Sequence, residues 1–236
     1  MKLCILFTGR LTNYDKNFDN FILNIVQDHE VDIYMIYSKE KCNRDLVAGF
    51  KKLYSPVECK ESDENIFHID YDNIMISRYY EKYGGFENLP KMWLSRKYLI
   101  DMIKDKPKYD LYLHTRLDVS YPNPLDYDMI NYNYLNIPDT KKDFCGFQDI
   151  MALGTYDKII IYLSVYDKLL DIWRTRKTNP ERNLEVALRN ETVHRFLFDI
   201  KMDVFCRLKK TFLKKNKIQS CDPDHVVNAD HIVKNL

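Results

Sequence analysis

Three short apolar runs, LCILF at 3–7, VDIYMIY at 31–37 and YDLYLHT at 109–115, alternate with stretches whose apolar residues recur at helical spacing. A continuous apolar run closed by polar residues reads as a strand buried on both faces of a parallel sheet. Between the first two runs, Phe18, Phe21, Ile22, Ile25 and Val26 follow the i, i+3, i+4, i+7, i+8 pattern, with Asn13 and Asp15 as available caps. That spacing predicts an amphipathic helix over 15–27. A second helix is expected over 43–53, with Leu46, Val47, Phe50 and Leu53 turned inward. Strand, helix, strand, helix in this order restricts the chain to the α/β class: a mostly parallel central sheet with helices on both faces.

Further along, Pro90 opens a helix carrying Met92, Trp93, Leu99, Ile100 and Ile103, stopped at Lys106-Pro107. YLNI at 134–137 is a short strand. Tyr156 to Trp173 predicts one long helix, Asn179-Pro180 caps another running to about Asn190, and a late strand is expected around Met202 to Phe205. The polar, aromatic stretch from Cys59 to Glu87 reads as a long loop broken at Gly84-Gly85, and long loops in compact domains are more often functional than idle. At 236 residues, with no repeat or linker dividing the chain, a single domain over 1–210 followed by a basic and polar tail over 211–236 is expected.

Glycine is scarce: six residues, against an average near 7% of a chain. No pair has the spacing of G-x-G-x-x-G or of the P-loop, so a nucleotide would have to be held by other means. The formal charge of +1 suggests no polyelectrolyte partner, and no nucleic-acid module is present. Six scattered cysteines without a C-x-x-C pair read as free thiols in a reducing compartment. The N-terminal apolar run is too short for a signal segment, and the longest apolar tract, 159–166, falls short of a membrane span. A cytoplasmic location is expected.

Ligands of open α/β sheets sit at the carboxyl ends of the strands. After the first strand stand Thr8, Gly9 and Arg10: a hydroxyl, a residue permitting close backbone approach, and a cation suited to phosphate, or simply a turn with a surface arginine. After the strand at 109–115 stand His114, Arg116 and Asp118, which share one face if the extended conformation persists. Together they could hold a divalent cation and a diphosphate, or form a buried pair that fixes the loop. Asp149 lies between Gly146 and Gly154 in a mostly apolar tract, where a charge is costly unless paired or used. It is a candidate general base or acceptor ligand, or a turn aspartate. Glu181, in the first turn of its helix, complements the macrodipole unless that helix points at the cleft. Asp222-Pro223-Asp224-His225 is read as a solvated turn. The basic tract 205–217 is read as an amphipathic helix or a peripheral anionic-surface contact.

The order CILFTGR, YDKNFDNFILNIV, VDIYMIYS, YDLYLHTRLDV, GFQDIMALG, NPERNLEVAL resembles a small GT-A-type (Rossmann-like) glycosyltransferase, similar to those of large DNA viruses, of chlorella-virus type, and related bacterial sugar transferases. The resemblance spans roughly 1–210 and implies transfer of a hexosyl or deoxyhexosyl group from a nucleotide-diphosphate donor, most simply a UDP-sugar, to a glycan or glycoprotein acceptor. For a viral protein the setting would be the host cytoplasm. It implies nucleotide-sugar binding by Thr8, Gly9, Arg10, His114, Arg116 and Asp118, with Mn²⁺ or Mg²⁺ on Asp118 and Asp149 facing the acceptor or the sugar. The chain departs from the D-x-D pattern of such enzymes, because its first acid is Arg116. Either Asp118 acts alone, or arginine supplies part of the metal's charge, or another acid joins. Two other readings are a non-catalytic nucleotide- or glycan-binding module and a sugar nucleotidyltransferase.

Overall fold

The strand at the N-terminus, β1 (Lys2–Gly9), lies inside the sheet: it pairs in parallel with β2 (Glu30–Ser38) on one side and with β4 (Leu111–Thr115) on the other. β3 (Glu58–Ser62) extends the parallel run beyond β2. Past β4 the sheet becomes mixed: β7 (Ala152–Gly154) runs antiparallel to β4 and to β6 (Leu135–Asp139), and β8 (Val193–Leu197) closes the edge parallel to β6. The seven strands lie in the order β3-β2-β1-β4-β7-β6-β8, with the two-residue β5 (Val119–Ser120) outside them. This computed structural model describes residues 1–38, 42–62, 74–77, 85–106, 108–139, 146–176 and 178–202. The chain divides into a unit over Met1–Lys201 and a second over Met202–Leu236. Most of the 59–87 loop, residues 203–205 of the late-strand expectation, the 205–217 tract and the 222–225 turn lie outside the described residues.

Helices cover both faces. The register sets Leu6 opposite His114 and Phe7 opposite Thr115, so alternate residues of β1 and β4 point to opposite layers. On one face Phe7 meets Phe21, Phe50 and Tyr54 at ring separations of 5.3, 6.5 and 5.8 Å. These rings come from α1 (Tyr14–Phe21) and α2 (Arg44–Tyr54), whose apolar stripes the sequence shows at helical spacing. On the other, Cys4, Leu6, Tyr34, Ile36 and Tyr112 share a core with Trp93, Leu99 and Met102 of α3 (Asn88–Ile103). Burial of each large apolar side chain is worth about 1.5–3 kcal/mol, so the two layers rather than helix propensity hold the elements together.

Three expectations are corrected. The helix over 156–173 is two: α4 (Tyr156–Leu163) and α5 (Tyr166–Thr175), broken where the Ser164 hydroxyl donates to the Ile161 carbonyl at 3.1 Å and draws the backbone out of register. Apolar MALG, which has no strand alternation, supplies β7, and VHRFL at Val193–Leu197 forms a strand. Glu58–Ser62 is a strand inside what reads as loop. The first helix continues past Phe21 through a wider turn to Val26 and stops at Gln27, whose φ of 52° leaves the helical region. Asn179 caps α6 (Pro180–Ala187) as expected, its side chain accepting from Arg182 N. No helix among the described residues is long and apolar enough to cross a membrane.

Candidate functional site

At the carboxyl end of β1, Thr8 is buried and its hydroxyl lies 3.0 Å from His114 Nε2 on β4, tying the two central strands. His114 is itself fully buried, and burial, with Arg96 and Arg116 nearby, holds its ring well below the usual imidazole range. Its Nδ1 has no hydrogen-bond partner among the described residues. Gly9 follows with φ 112°, a conformation that favours glycine, and a side chain there would face open space. Arg10 is exposed beside it. The turn therefore presents a backbone edge and a cation to solvent, while Thr8 and His114 support it from below.

Beyond β4 the extended conformation does not persist. The chain turns at Leu117 and Asp118, and the Asp118 carboxylate folds back on Arg116, accepting from Nε at 2.7 Å and from Nη2 at 2.6 Å. Burial opposes the Arg116 charge, but the hydrogen bonds to Asp118 outweigh it, and Asp149 adds to the effect. The Arg116 side chain is 27% exposed and that of Asp118 only 9%, so the arginine is the more accessible partner of the pair. This loop is clamped by a polar stripe on the helix after β1 that sequence reading missed. Asn17 donates to the Leu117 carbonyl at 2.9 Å, Asn20 and Asn24 both donate to the Tyr121 carbonyl at 2.9 and 3.0 Å, and Gln27 donates to the Leu125 carbonyl at 2.7 Å. The stripe was visible as amides at 17, 20, 24 and 27, one helical face of a segment otherwise read for its apolar side.

The third component enters from the loop before β7. Arg96, on α3 and wholly buried, donates from Nη2 to the Asp149 carbonyl at 2.7 Å, with Asp149 Oδ2 at 3.4 Å. Tyr162 of α4 donates to the same carbonyl at 2.9 Å, and the Arg96 guanidinium stacks 4.1 Å from the Trp93 ring. Nε and Nη1 of Arg96 have no hydrogen-bond partner among the described residues. Gly146, φ 152°, lets the loop touch the first turn of α6: a Cβ there would lie 2.4 Å from the Glu181 carbonyl, to which Phe147 N donates at 3.2 Å. Burial, reinforced by Asp149, pushes the half-buried Glu181 carboxyl up to about 7. The helix at 180–187 thus brings Glu181 within the field of Asp149. Arg96 gave no signal in sequence, because Ser95-Arg96-Lys97 looks like a solvated helix face.

The structure therefore gathers Thr8, His114, Arg116, Asp118 and Asp149, with Arg10 exposed at the β1 turn, and adds Arg96 and Glu181. The residues present do not fit a resident divalent ion on Asp118. Both of its oxygens already accept a hydrogen bond from Arg116, and among the described residues no group of three or more His, Cys, Asp or Glu side chains could hold a metal. Hard cations need several oxygen ligands at once. What the arrangement does offer is a fixed guanidinium at the mouth of two parallel strands, an anchored carboxylate beside it, and a second carboxyl that titrates near neutrality.

No protein-family model matches this chain, and no curated protein sequence does. Among solved structures it is similar to a protein from Desulfovibrio desulfuricans G20 provisionally assigned as a nucleotide-diphospho-sugar transferase. The two are 13% identical, the alignment covers 83% of this chain and 79% of that one, and the TM-score is 0.49. The functional reading therefore rests on the site residues.

Proposed function

We propose that this chain transfers a sugar, hexosyl or deoxyhexosyl, from a UDP-sugar to a hydroxyl of a glycan or glycoprotein acceptor. The observation that carries the reading is Arg116: a guanidinium locked by two hydrogen bonds to Asp118 at the carboxyl end of β4, beside β1, on a side chain that is part-exposed. Sugar transfer from a nucleotide diphosphate develops negative charge on the departing diphosphate, and a preorganised cation that need not reorient stabilises it most. Arg10, exposed at the neighbouring turn, is a second cation for the phosphates, and Gly9 allows the nucleotide to approach the backbone. Thr8 and His114 then act through the strand pair they tie together. Asp149 faces the transferred sugar or its acceptor.

In this reading Arg116 carries the charge at the diphosphate. A Mn²⁺ or Mg²⁺ ion, which the resemblance implies, would add positive charge at the diphosphate, and Asp118 would hold it only in competition with Arg116. The commitment of Asp118 to Arg116 also favours, as a second reading, a module that binds nucleotide sugars without turning them over.

A thermal-shift panel of nucleotide sugars, with Mn²⁺ and with EDTA, tests the proposal, since a ligand that binds only the folded state raises the melting temperature. UDP-sugars are expected to stabilise the protein in EDTA, Arg116→Ala to abolish that shift, and donor consumption to follow when acceptor glycans are added. Binding without consumption selects the second reading. Absence of any shift by millimolar nucleotide sugars overturns both.

A further inference from the structure

We propose that the cavity at the carboxyl ends of β6 and β8 is a second carbohydrate site, holding one uncharged saccharide unit of the acceptor while the donor lies at Arg116. This deepens the transferase reading and rests on it. The cavity encloses about 220 Å³, roughly the share of seven liquid waters, which is room for one sugar ring.

Topology and contacts place the cavity beside the candidate site. β7 runs antiparallel to both β4 and β6, so β6 and its parallel neighbour β8 end on the same edge of the sheet as β1 and β4. Asp139, the last residue of β6, and Leu197, the last of β8, both line the cavity. They stand two and three strand spacings from β4, about 10–15 Å along the sheet. The segment that leaves β4 spans the gap. Tyr121, 1% exposed, has its hydroxyl 2.7 Å from Thr115 Oγ1, immediately before Arg116, and its ring stacks 5.8 Å from that of Phe198 in the cavity lining. Farther on, Leu125 also lines the cavity, with its N–H donating to the Asn24 carbonyl at 2.8 Å and its carbonyl accepting from Gln27 at 2.7 Å. The turn that holds Arg116 and one wall of the cavity are therefore fixed by the same helix, and a preformed site loses less on binding than one that must be ordered.

The lining suits a sugar ring, which has an apolar face of C–H groups and an edge of hydroxyls. Leu125, Phe196 and Phe198 are buried apolar residues, with the exposed Met129 and Leu197 beside them. Asn123 brings an amide, and Asp126, Asp139 and Asp199 bring carboxylates, strong acceptors for hydroxyl donors. Two of these acids are already engaged: Asp139 Oδ1 accepts from Arg195 at 3.0 Å, and Asp126 Oδ1 accepts from Asp128 N at 3.0 Å. Asp199, exposed, has no hydrogen bond or ion pair among the described residues. One uncommitted carboxylate over an apolar wall favours neutral hydroxyls over a basic peptide. Because the cavity lies about 10–15 Å from the Arg116 turn, the unit it holds is not the one that receives the transferred sugar. The acceptor is then an oligosaccharide, recognised at a unit removed from the accepting hydroxyl.

The test uses saturation-transfer NMR on the full chain, with the methyl glycosides of glucose, galactose, mannose, xylose and N-acetylglucosamine as saccharide probes and pentalysine as the cationic one. At least one glycoside should bind saturably. Asp199→Asn, which removes the uncommitted charge, and Met129→Trp, which fills the cavity, each change an exposed residue and should weaken that binding about 10–100-fold. Both variants should keep the UDP-sugar thermal shift and the donor KM while the KM for an oligosaccharide acceptor rises, a split that general loss of structure would not produce. Saturable binding by none of the glycosides, or glycoside binding undiminished in both variants, overturns the inference. So does binding of pentalysine, in place of the glycosides, that both variants lose. In each of these cases UDP-sugar binding and consumption by the wild type leave the transferase reading standing. A wild type that neither binds nor consumes UDP-sugars overturns that reading, and the acceptor role of the cavity with it.

Discussion

Arg96 and Asp149 are 53 residues apart in sequence and joined twice in space: Nη2 of the arginine lies 2.7 Å from the aspartate's carbonyl and 3.4 Å from its carboxylate. One wholly buried side chain therefore fixes both the backbone and the charge of the loop that enters β7. It does so from α3, on the layer that also carries the core contacts of Trp93 and Leu99.

Breaking that link should be costly. Arg96→Met removes a buried cation and leaves the Asp149 carboxylate, 14% exposed, without its partner, for an expected loss of about 3–5 kcal/mol. The double variant Arg96→Met, Asp149→Asn should lose less than the sum of the two single changes, because residues in direct contact are coupled. Denaturant titration of all three variants measures the coupling, and additive losses would show that the pair does not act as a unit.

Gly146 and Gly49 make a matched comparison. A methyl at Gly146 would lie 2.4 Å from the Glu181 carbonyl oxygen, which is backbone and cannot swing away, and φ 152° is itself unfavourable for alanine. Gly146→Ala should cost about 2 kcal/mol or more. At Gly49 the obstacle is the hydroxyl end of Tyr14, a side chain able to move, so Gly49→Ala should be tolerated better. Melting temperatures of the two variants check the order.

The R-x-D turn has its own test. Asn17→Ala removes the hydrogen bond to the Leu117 carbonyl, expected to cost about 1 kcal/mol, and loosens the turn that aims Arg116. UDP-sugar affinity should fall with it, but by less than in Arg116→Ala, and isothermal titration of the two variants decides this.

Stability should depend on pH in two opposed ways. His114 is held well below 6.5, so its contribution is complete above that value and is lost as pH falls through it, when the unfolded chain gains the proton that the folded one refuses. Glu181, raised from 4.5 to about 7, contributes fully below 4.5 and loses that contribution as pH rises through about 7. Each pH unit between those limits is worth about 1.4 kcal/mol before solvent screening, so the Tm of Glu181→Gln should gain on the wild type between pH 4.5 and 8. His114→Gln should instead gain on it as pH falls below 6.5. A constant Tm difference across the range for either variant would contradict its assignment.

The α/β order was legible because buried strands and amphipathic helices announce themselves within a few residues. LCILF, VDIYMIY and YDLYLHT carry their burial in their composition, and Phe18, Phe21 and Ile25 carry theirs in their spacing. Thr8, Arg116, Asp118 and Asp149 were legible for a related reason: a polar residue that interrupts or ends an apolar run stands at a strand end, where an α/β sheet opens. The mixed half of the sheet was not. β7 is three residues long and has no alternation to read, and its place between β4 and β6 is set by pairing across the chain.

The sequence by itself determined which segments are buried, and hence that the chain forms a sheet layered by helices with charged residues at its carboxyl edge. Only the tertiary structure decided what those charges do. It turned Asp118 onto Arg116 when the strand ended, set Arg96 under Asp149, and laid Gly146 against Glu181 so that two carboxyls lie in each other's field. The physical reason is range. Burial and periodicity are written into neighbouring residues, whereas the partner of a charge is found wherever packing brings it.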